Sequence, residues 1–73
     1  MPKHSMRLEY DKEVDAAYLY LQDTIRDGEA TKTVRVNDDV ALDFDDKGKL
    51  LGAEILNASK VMKKKVLLEA QAA

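Results

Sequence analysis

The chain has 73 residues, no cysteine, and a formal net charge of −2 from 12 basic and 14 acidic side chains. A chain this short forms one domain and hides only roughly 60% of its unfolded surface on folding, which leaves its stability thin. The composition excludes disulfides, a cysteine-bound zinc and the broad positive field of a general nucleic-acid binder. No apolar run approaches the length of a membrane span or a signal-peptide core, so a cytoplasmic protein with no membrane contact is expected.

Residues 1–5 read as a flexible start. Met6, Leu8 and Tyr10 then alternate with Arg7 and Glu9, the period of a first strand. Residues 11–15 are polar and turn-like. Residues 16–21 form a second strand, with Ala17, Leu19 and Leu21 on one face and Ala16, Tyr18 and Tyr20 on the other. A helix over 12–21 is the rival reading, but the Tyr-Leu-Tyr-Leu run has high sheet propensity and a four-residue turn returns it onto the first strand. Pairing Tyr10 with Ala17, Leu8 with Leu19 and Met6 with Leu21 keeps one apolar face continuous.

Residues 22–29 make a loop bent at Asp27-Gly28, with Ile25 tucked over a core edge. Three more strands follow, at 30–36, 40–45 and 50–56. Val34 and Val36, then Val40, Leu42 and Phe44, then Leu51, Ala53 and Ile55 share one face, while Thr33, Arg35, Asp43 and Glu54 lie on the other. The apolar register selects a three-residue turn at Asn37-Asp38-Asp39, which sets Val36 opposite Val40 and Val34 opposite Leu42. Around Asp46-Lys47-Gly48-Lys49 it pairs Phe44 with Leu51, Leu42 with Ala53 and Val40 with Ile55, and Gly48 is the natural position for a positive φ.

From Asn57 the period becomes helical. Ala58, Val61, Met62 and Leu68 fall on one flank with Val66 nearby, Leu67 sits nearly opposite, and Asn57 or Ser59 is the expected cap. The fold class is therefore α+β, one small domain over 1–73. A small antiparallel β-meander of about five strands over 6–56 carries a C-terminal helix, 57–70, against one face.

One helix of about four turns cannot roof five strands. Tyr18, Tyr20, Ala41, Gly52 and Leu56 also make the outer face less polar than a solvated face should be. Both shortfalls point to a homo-oligomer, with a dimer favoured, or to a small protein partner. The expected interaction surface is Tyr18, Tyr20, Ala41, Gly52, Glu54, Leu56 and Leu67. The plainer alternative lays the tyrosine stems flat on a wet sheet with their hydroxyls in water.

The candidate sites are weak beside their ordinary readings. Asp43, Asp45, Gly48 and Glu54 occupy positions 1, 3, 6 and 12 of a calcium-loop pattern, but Lys47 stands where an oxygen ligand belongs and the flanks alternate like strands. Asp38-Asp39 and Asp45-Asp46 are neighbours in turns, without the pocket that paired-carboxylate chemistry requires. Asp-rich turns form for backbone reasons, because the side chain accepts a hydrogen bond from an amide two residues on. His4, Ser5 and Ser59 have no partner in sequence that would make a triad. Gly28, Gly48 and Gly52 are isolated and form no phosphate loop. Lys60, Lys63, Lys64 and Lys65, spread over a helix, are candidate phosphate contacts, but no arginine or asparagine among them reads base edges. No catalytic residue, cofactor or metal is expected.

Three stretches carry a resemblance: Tyr10 through Leu21 (Tyr-Asp-Lys-Glu-Val-Asp-Ala-Ala-Tyr-Leu-Tyr-Leu), Val40 through Asp45 (Val-Ala-Leu-Asp-Phe-Asp), and Gly48 through Ser59. The last closes on Gly52-Ala53-Glu54-Ile55-Leu56-Asn57-Ala58-Ser59, with Asn57 in place of the commoner Asp. They resemble a family of short prokaryotic proteins, the domain of unknown function numbered 2283, over about residues 6–59. The resemblance implies a compact α+β domain without an established activity, catalytic residues or cofactor, so no functional residue is carried over. Residues 60–73 extend past its signature. Gly52 has a physical reading of its own, since it lets something approach the outer face closely, and Glu54 on that face is placed to pair with Arg35 or Arg7.

The leading expectation is a non-catalytic interaction domain, self-associating through its sheet or helix. An antitoxin-like regulatory or nucleic-acid-binding module using Lys60, Lys63, Lys64 and Lys65 is the alternative, by analogy with small toxin partners. An enzyme comes third, with a site between subunits, Asp43 and Glu54 of facing copies lining a cavity.

Overall fold

Two hairpins, one at each half of the chain, dock edge to edge to make the sheet of this protein, whose computed structural model describes residues 6–73. The expected flexible start, with His4 and Ser5, lies outside the described residues. Strands β1 (Arg7–Asp11) and β2 (Ala16–Tyr20) form the first hairpin, with Tyr10 opposite Ala17 and Leu8 opposite Leu19 as the apolar pattern requires. Strands β4 (Val40–Phe44) and β5 (Leu50–Leu56) form the second, with Val40 opposite Ile55 and Leu42 opposite Ala53. Strand β3 (Lys32–Arg35) adds to β4 with Val34 opposite Leu42, and a backbone bond from Val36 N to Val40 O at 2.8 Å closes the three-residue turn.

The sheet is not a meander. Its order is β3-β4-β5-β2-β1-β6, so β2 pairs with β5 and β3 is an edge. The sequence explains this in retrospect. All four residues of β3 are exposed and include Lys32 and Arg35, a composition suited to an edge that must resist further pairing. Strand β2 carries Ala, Leu or Tyr at every position and suits an interior place, and the connection over 21–31 is long enough to free β3 from it. Nor is the sheet purely antiparallel. A two-residue strand, β6 (Gln71–Ala72), runs parallel to β1, and Ala73 N donates to Tyr10 O at 3.2 Å. Nothing in Gln-Ala signals a strand.

The β4–β5 pairing also slips by one residue at its turn end. Phe44 faces Leu50, not Leu51, across a shift between Asp43 and Phe44. The turn imposes it: Asp45 N bonds Lys49 O at 2.9 Å, Gly48 N bonds Asp45 O at 3.1 Å, and Gly48 takes φ 79°. The additional residue on β5 bends the strand, and Leu51 is buried to 3% exposure.

The expected single helix is two short ones, α1 (Ala58–Val61) and α2 (Lys64–Leu68). Met62 (ψ 150°) and Lys63 (ψ 142°) between them are extended. A continuous helix would stack Lys60 against Lys63 and Lys64 at like-charge spacings. The break also turns Leu67 inward and leaves Leu68 74% exposed, reversing the places the helical period gives them.

The core is small. Ala17, Ile55 and Ala58 form its centre, with Leu8, Tyr10, Met62 and Leu67 packed against them, and among the described residues no large side chain is fully buried. The extents of 34 × 33 × 18 Å are those of one sheet with a thin layer on one face.

Candidate functional site

The strand registers sort the side chains into two faces. On the polar face, Arg7, Tyr20, Gly52, Asp43 and Thr33 lie in one row across five strands, and Glu9, Tyr18, Glu54, Ala41 and Arg35 in the next. The Tyr18 ring leans over Gly52, so that its hydroxyl donates to Asp43 Oδ2 at 2.6 Å, two strands away. Thr33 Oγ1 donates to the other carboxylate oxygen of Asp43 at 2.5 Å. A Cβ at position 52 would stand 2.6 Å from both Tyr18 Cε1 and the Leu19 carbonyl oxygen. The close approach that Gly52 permits is thus made by the chain's own Tyr18.

The same face is cross-linked further along. The Arg7 guanidinium lies 4.0 Å over the Tyr20 ring, which tilts against Tyr18 at 4.7 Å, and Arg7 Nε bonds Glu9 at 3.0 Å. Glu54 meets Arg35 at 4.0 Å, not Arg7. Burial first and then the Asp43 carboxylate push the Tyr18 phenol well above the ordinary tyrosine range. Of the seven residues expected to form one interaction surface, Tyr18, Tyr20, Ala41, Gly52, Glu54 and Leu56 share this face, with Ala41 and Gly52 buried in it. Leu67 packs on the other side of the sheet, against the core.

Asp15, read in sequence only as a turn residue, joins the two ends of the fold. It sits in the β1–β2 turn at φ 54°. Its Oδ1 accepts the Tyr10 hydroxyl at 2.7 Å and Ser59 N at 3.0 Å, its Oδ2 accepts the Ser59 hydroxyl at 2.7 Å, and its carbonyl accepts Ala58 N at 2.9 Å. Those bonds, the Ser59 hydroxyl foremost and Tyr10 next, hold the Asp15 carboxyl below its usual range. The start of α1 is therefore capped from outside the helix. Of the two expected caps, Asn57 holds the N-cap position, at φ 50°, without a side-chain capping bond and donates its amide to Asp39 at 2.9 Å, while Ser59 points to Asp15. An Asp before Ala-Ala and a Ser 44 residues on are a sequence signal only once the two ends are known to meet.

The calcium-loop pattern does not assemble. Asp43 faces Tyr18 and Thr33, Asp45 turns its Oδ1 to the amides of Lys47 and Lys49, and Glu54 lies beside Arg35. The Lys49 amide leads in lowering the Asp45 carboxyl below its ordinary range. No cluster of three or more His, Asp or Glu suited to a metal occurs among the described residues. Lys60 lies on α1, Lys63 in the extended link and Lys64 and Lys65 on α2, all exposed, so they do not share one helical face.

A cleft of about 550 Å³ opens between the end of β1, the start of α1, α2 and β6, lined by Tyr10, Lys12, Ser59, Lys64, Leu67 and Ala72 among others. No helix among the described residues is long and apolar enough to cross a membrane.

The family profile for a protein of unknown function, DUF2283, matches residues 7–59, from β1 to the Asp15–Ser59 junction. An uncharacterized protein of the archaeon Methanocaldococcus jannaschii, MJ0789, is 38% identical over 56 residues; the match covers 77% of this chain and 44% of that protein. The chain thus spans less than half the length of this relative. No solved structure matches. With strands β1 to β5 and both partners of the Asp15–Ser59 bond inside the matched segment, the chain belongs to the DUF2283 family.

Proposed function

We propose that this domain is a non-catalytic interaction module that works as a self-associated pair, joined through the apolar face of its sheet. The observation that carries the reading is the incomplete roof. Leu8, Leu19, Ala53, Leu42 and Val34 form one apolar row across five strands, and Tyr10, Ala17, Ile55 and Val40 form the next. The helices pack on Ala17 and Ile55, towards the β1 side. At the β3 edge, Val34 remains 39% and Val36 58% exposed, and Leu19, Leu42 and Ala53 are only half-buried.

A second copy offers the same row, and a two-fold contact sets like against like, as apolar side chains require. Removing such a row from water is worth about 25 cal/mol for each Å² covered, which a core this thin lacks. The opposite face suits solvent better, because Tyr18, Asp43, Thr33, Arg7 and Glu9 already satisfy one another there.

Sedimentation equilibrium from low to high micromolar concentration tests this. The wild type is expected to associate, and Val34→Glu with Val36→Glu, at positions exposed in the single chain, to remain folded and monomeric. A wild type that stays monomeric throughout, or a double variant that associates equally well, overturns the proposal.

A further inference from the structure

We infer that the cleft at the β6 edge binds a small amphipathic anion, a free carboxylate with a single medium-length apolar chain. Its lining combines the apolar surface and the positive charge that such a ligand demands. Leu67, Leu68, Ala72 and the Tyr10 ring supply apolar surface, and Lys12 and Lys64 stand among them. At about 550 Å³ the cleft is within the range of small-molecule sites.

The polar groups of the cleft are unequal. The Tyr10 and Ser59 hydroxyls both donate to Asp15, at 2.7 Å each, so neither proton is free for a ligand. Asp15 in turn accepts three side-chain or amide donors around its carboxylate, and it is not an ion-pair partner of either lysine. Among the described residues, no carboxylate lies within ion-pair distance of Lys12 or Lys64. The ammonium groups are thus the charged donors of a mainly apolar cleft, with the Gln71 side chain a neutral polar neighbour, and they select a negative head group on a greasy body. Lysines are point charges and impose no planar fork, so a carboxylate needs only to reach them. An apolar chain laid along Leu67 and Leu68 would cover the leucine that the fold leaves 74% exposed.

The cleft lies at the sheet edge opposite Val34 and Val36, so this inference and the proposed pairing fail separately. Octanoate is the probe, followed by amide chemical shifts on the full chain, with octanol as the neutral control of the same length. Expected are saturable one-to-one shifts centred on Tyr10, Lys12, Ser59, Leu67 and Ala72, with octanol several-fold weaker. Lys12→Gln with Lys64→Gln keeps the fold and weakens octanoate by up to about tenfold, the sum of two exposed ion pairs. Three results would each overturn the inference: octanol binding as well as octanoate, an undiminished affinity in the double variant, or shifts spread over Val34, Leu42 and Ala53 instead of the cleft.

Discussion

Gly52 and Tyr18 show how one residue's absence of a side chain sets another's position. A methyl at position 52 meets the Leu19 carbonyl, which is backbone and cannot step aside, and the Tyr18 ring, which is held by Asp43. Gly52→Ala is therefore expected to cost about 1–3 kcal/mol as overpacking, read as a lower urea midpoint. An unchanged midpoint would show that the sheet yields there. Tyr18→Phe, which keeps the ring and removes the bond to Asp43, is expected to cost about 1 kcal/mol. The phenol also predicts a pH dependence. Its folded pKa is raised above the ordinary 10.0, so its contribution is complete below that pH and is lost as pH climbs through the raised value. Phenolate absorbance should accordingly show late-ionising tyrosine in the wild type, from Tyr18 and from Tyr10, whose phenol is raised by its bond to Asp15, and the late amplitude should shrink but not vanish in Tyr18→Phe.

At the scale of elements, the two short helices depend on contacts that come from the sheet. With four and five residues they are far too short to hold by propensity. Asp15 supplies the start of α1, and its carboxyl is depressed below the ordinary 3.8. Its contribution is present above that pH and disappears as pH falls through the depressed folded value. Asp15→Asn, which tolerates the positive φ and keeps one acceptor, should lower the urea midpoint less than Asp15→Ala and flatten its acid dependence. Equal midpoints for the two variants at neutral pH would remove the capping role. For α2, Leu67→Ala is expected to cost about 1–2 kcal/mol because Leu67 packs on the core, whereas Leu68→Ala stays within about 0.5 kcal/mol. Sequence periodicity alone predicts the reverse order.

For the whole molecule, the thin core makes stability and association one question. A small chain in which no large side chain among the described residues is fully buried gains from any surface that covers its apolar rows. If pairing does so, the melting temperature depends on concentration. A tenfold rise in protein is worth about 1.4 kcal/mol per dimer, a few degrees for a domain of this size. Val34→Glu with Val36→Glu should abolish that slope. A wild-type melting temperature that is independent of concentration would count directly against the pair.

The chain's own alternation determined its strands, their inward faces and most hairpin registers, because a one-residue slip moves a whole apolar set to the wrong side. Leu8 against Leu19, Val34 against Leu42 and Val40 against Ile55 follow from that alone. Which hairpin edge meets which is not a local property. Both β3 and β5 offer β2 an apolar pattern, and the choice of β5 depends on burying Ala17 and Ile55 under Ala58. The packing of Leu67 on the core, the strand at Gln71–Ala72 and the Asp15–Ser59 bond share that origin. Each joins residues far apart in the chain, and their energy exists only once the sheet has brought them together.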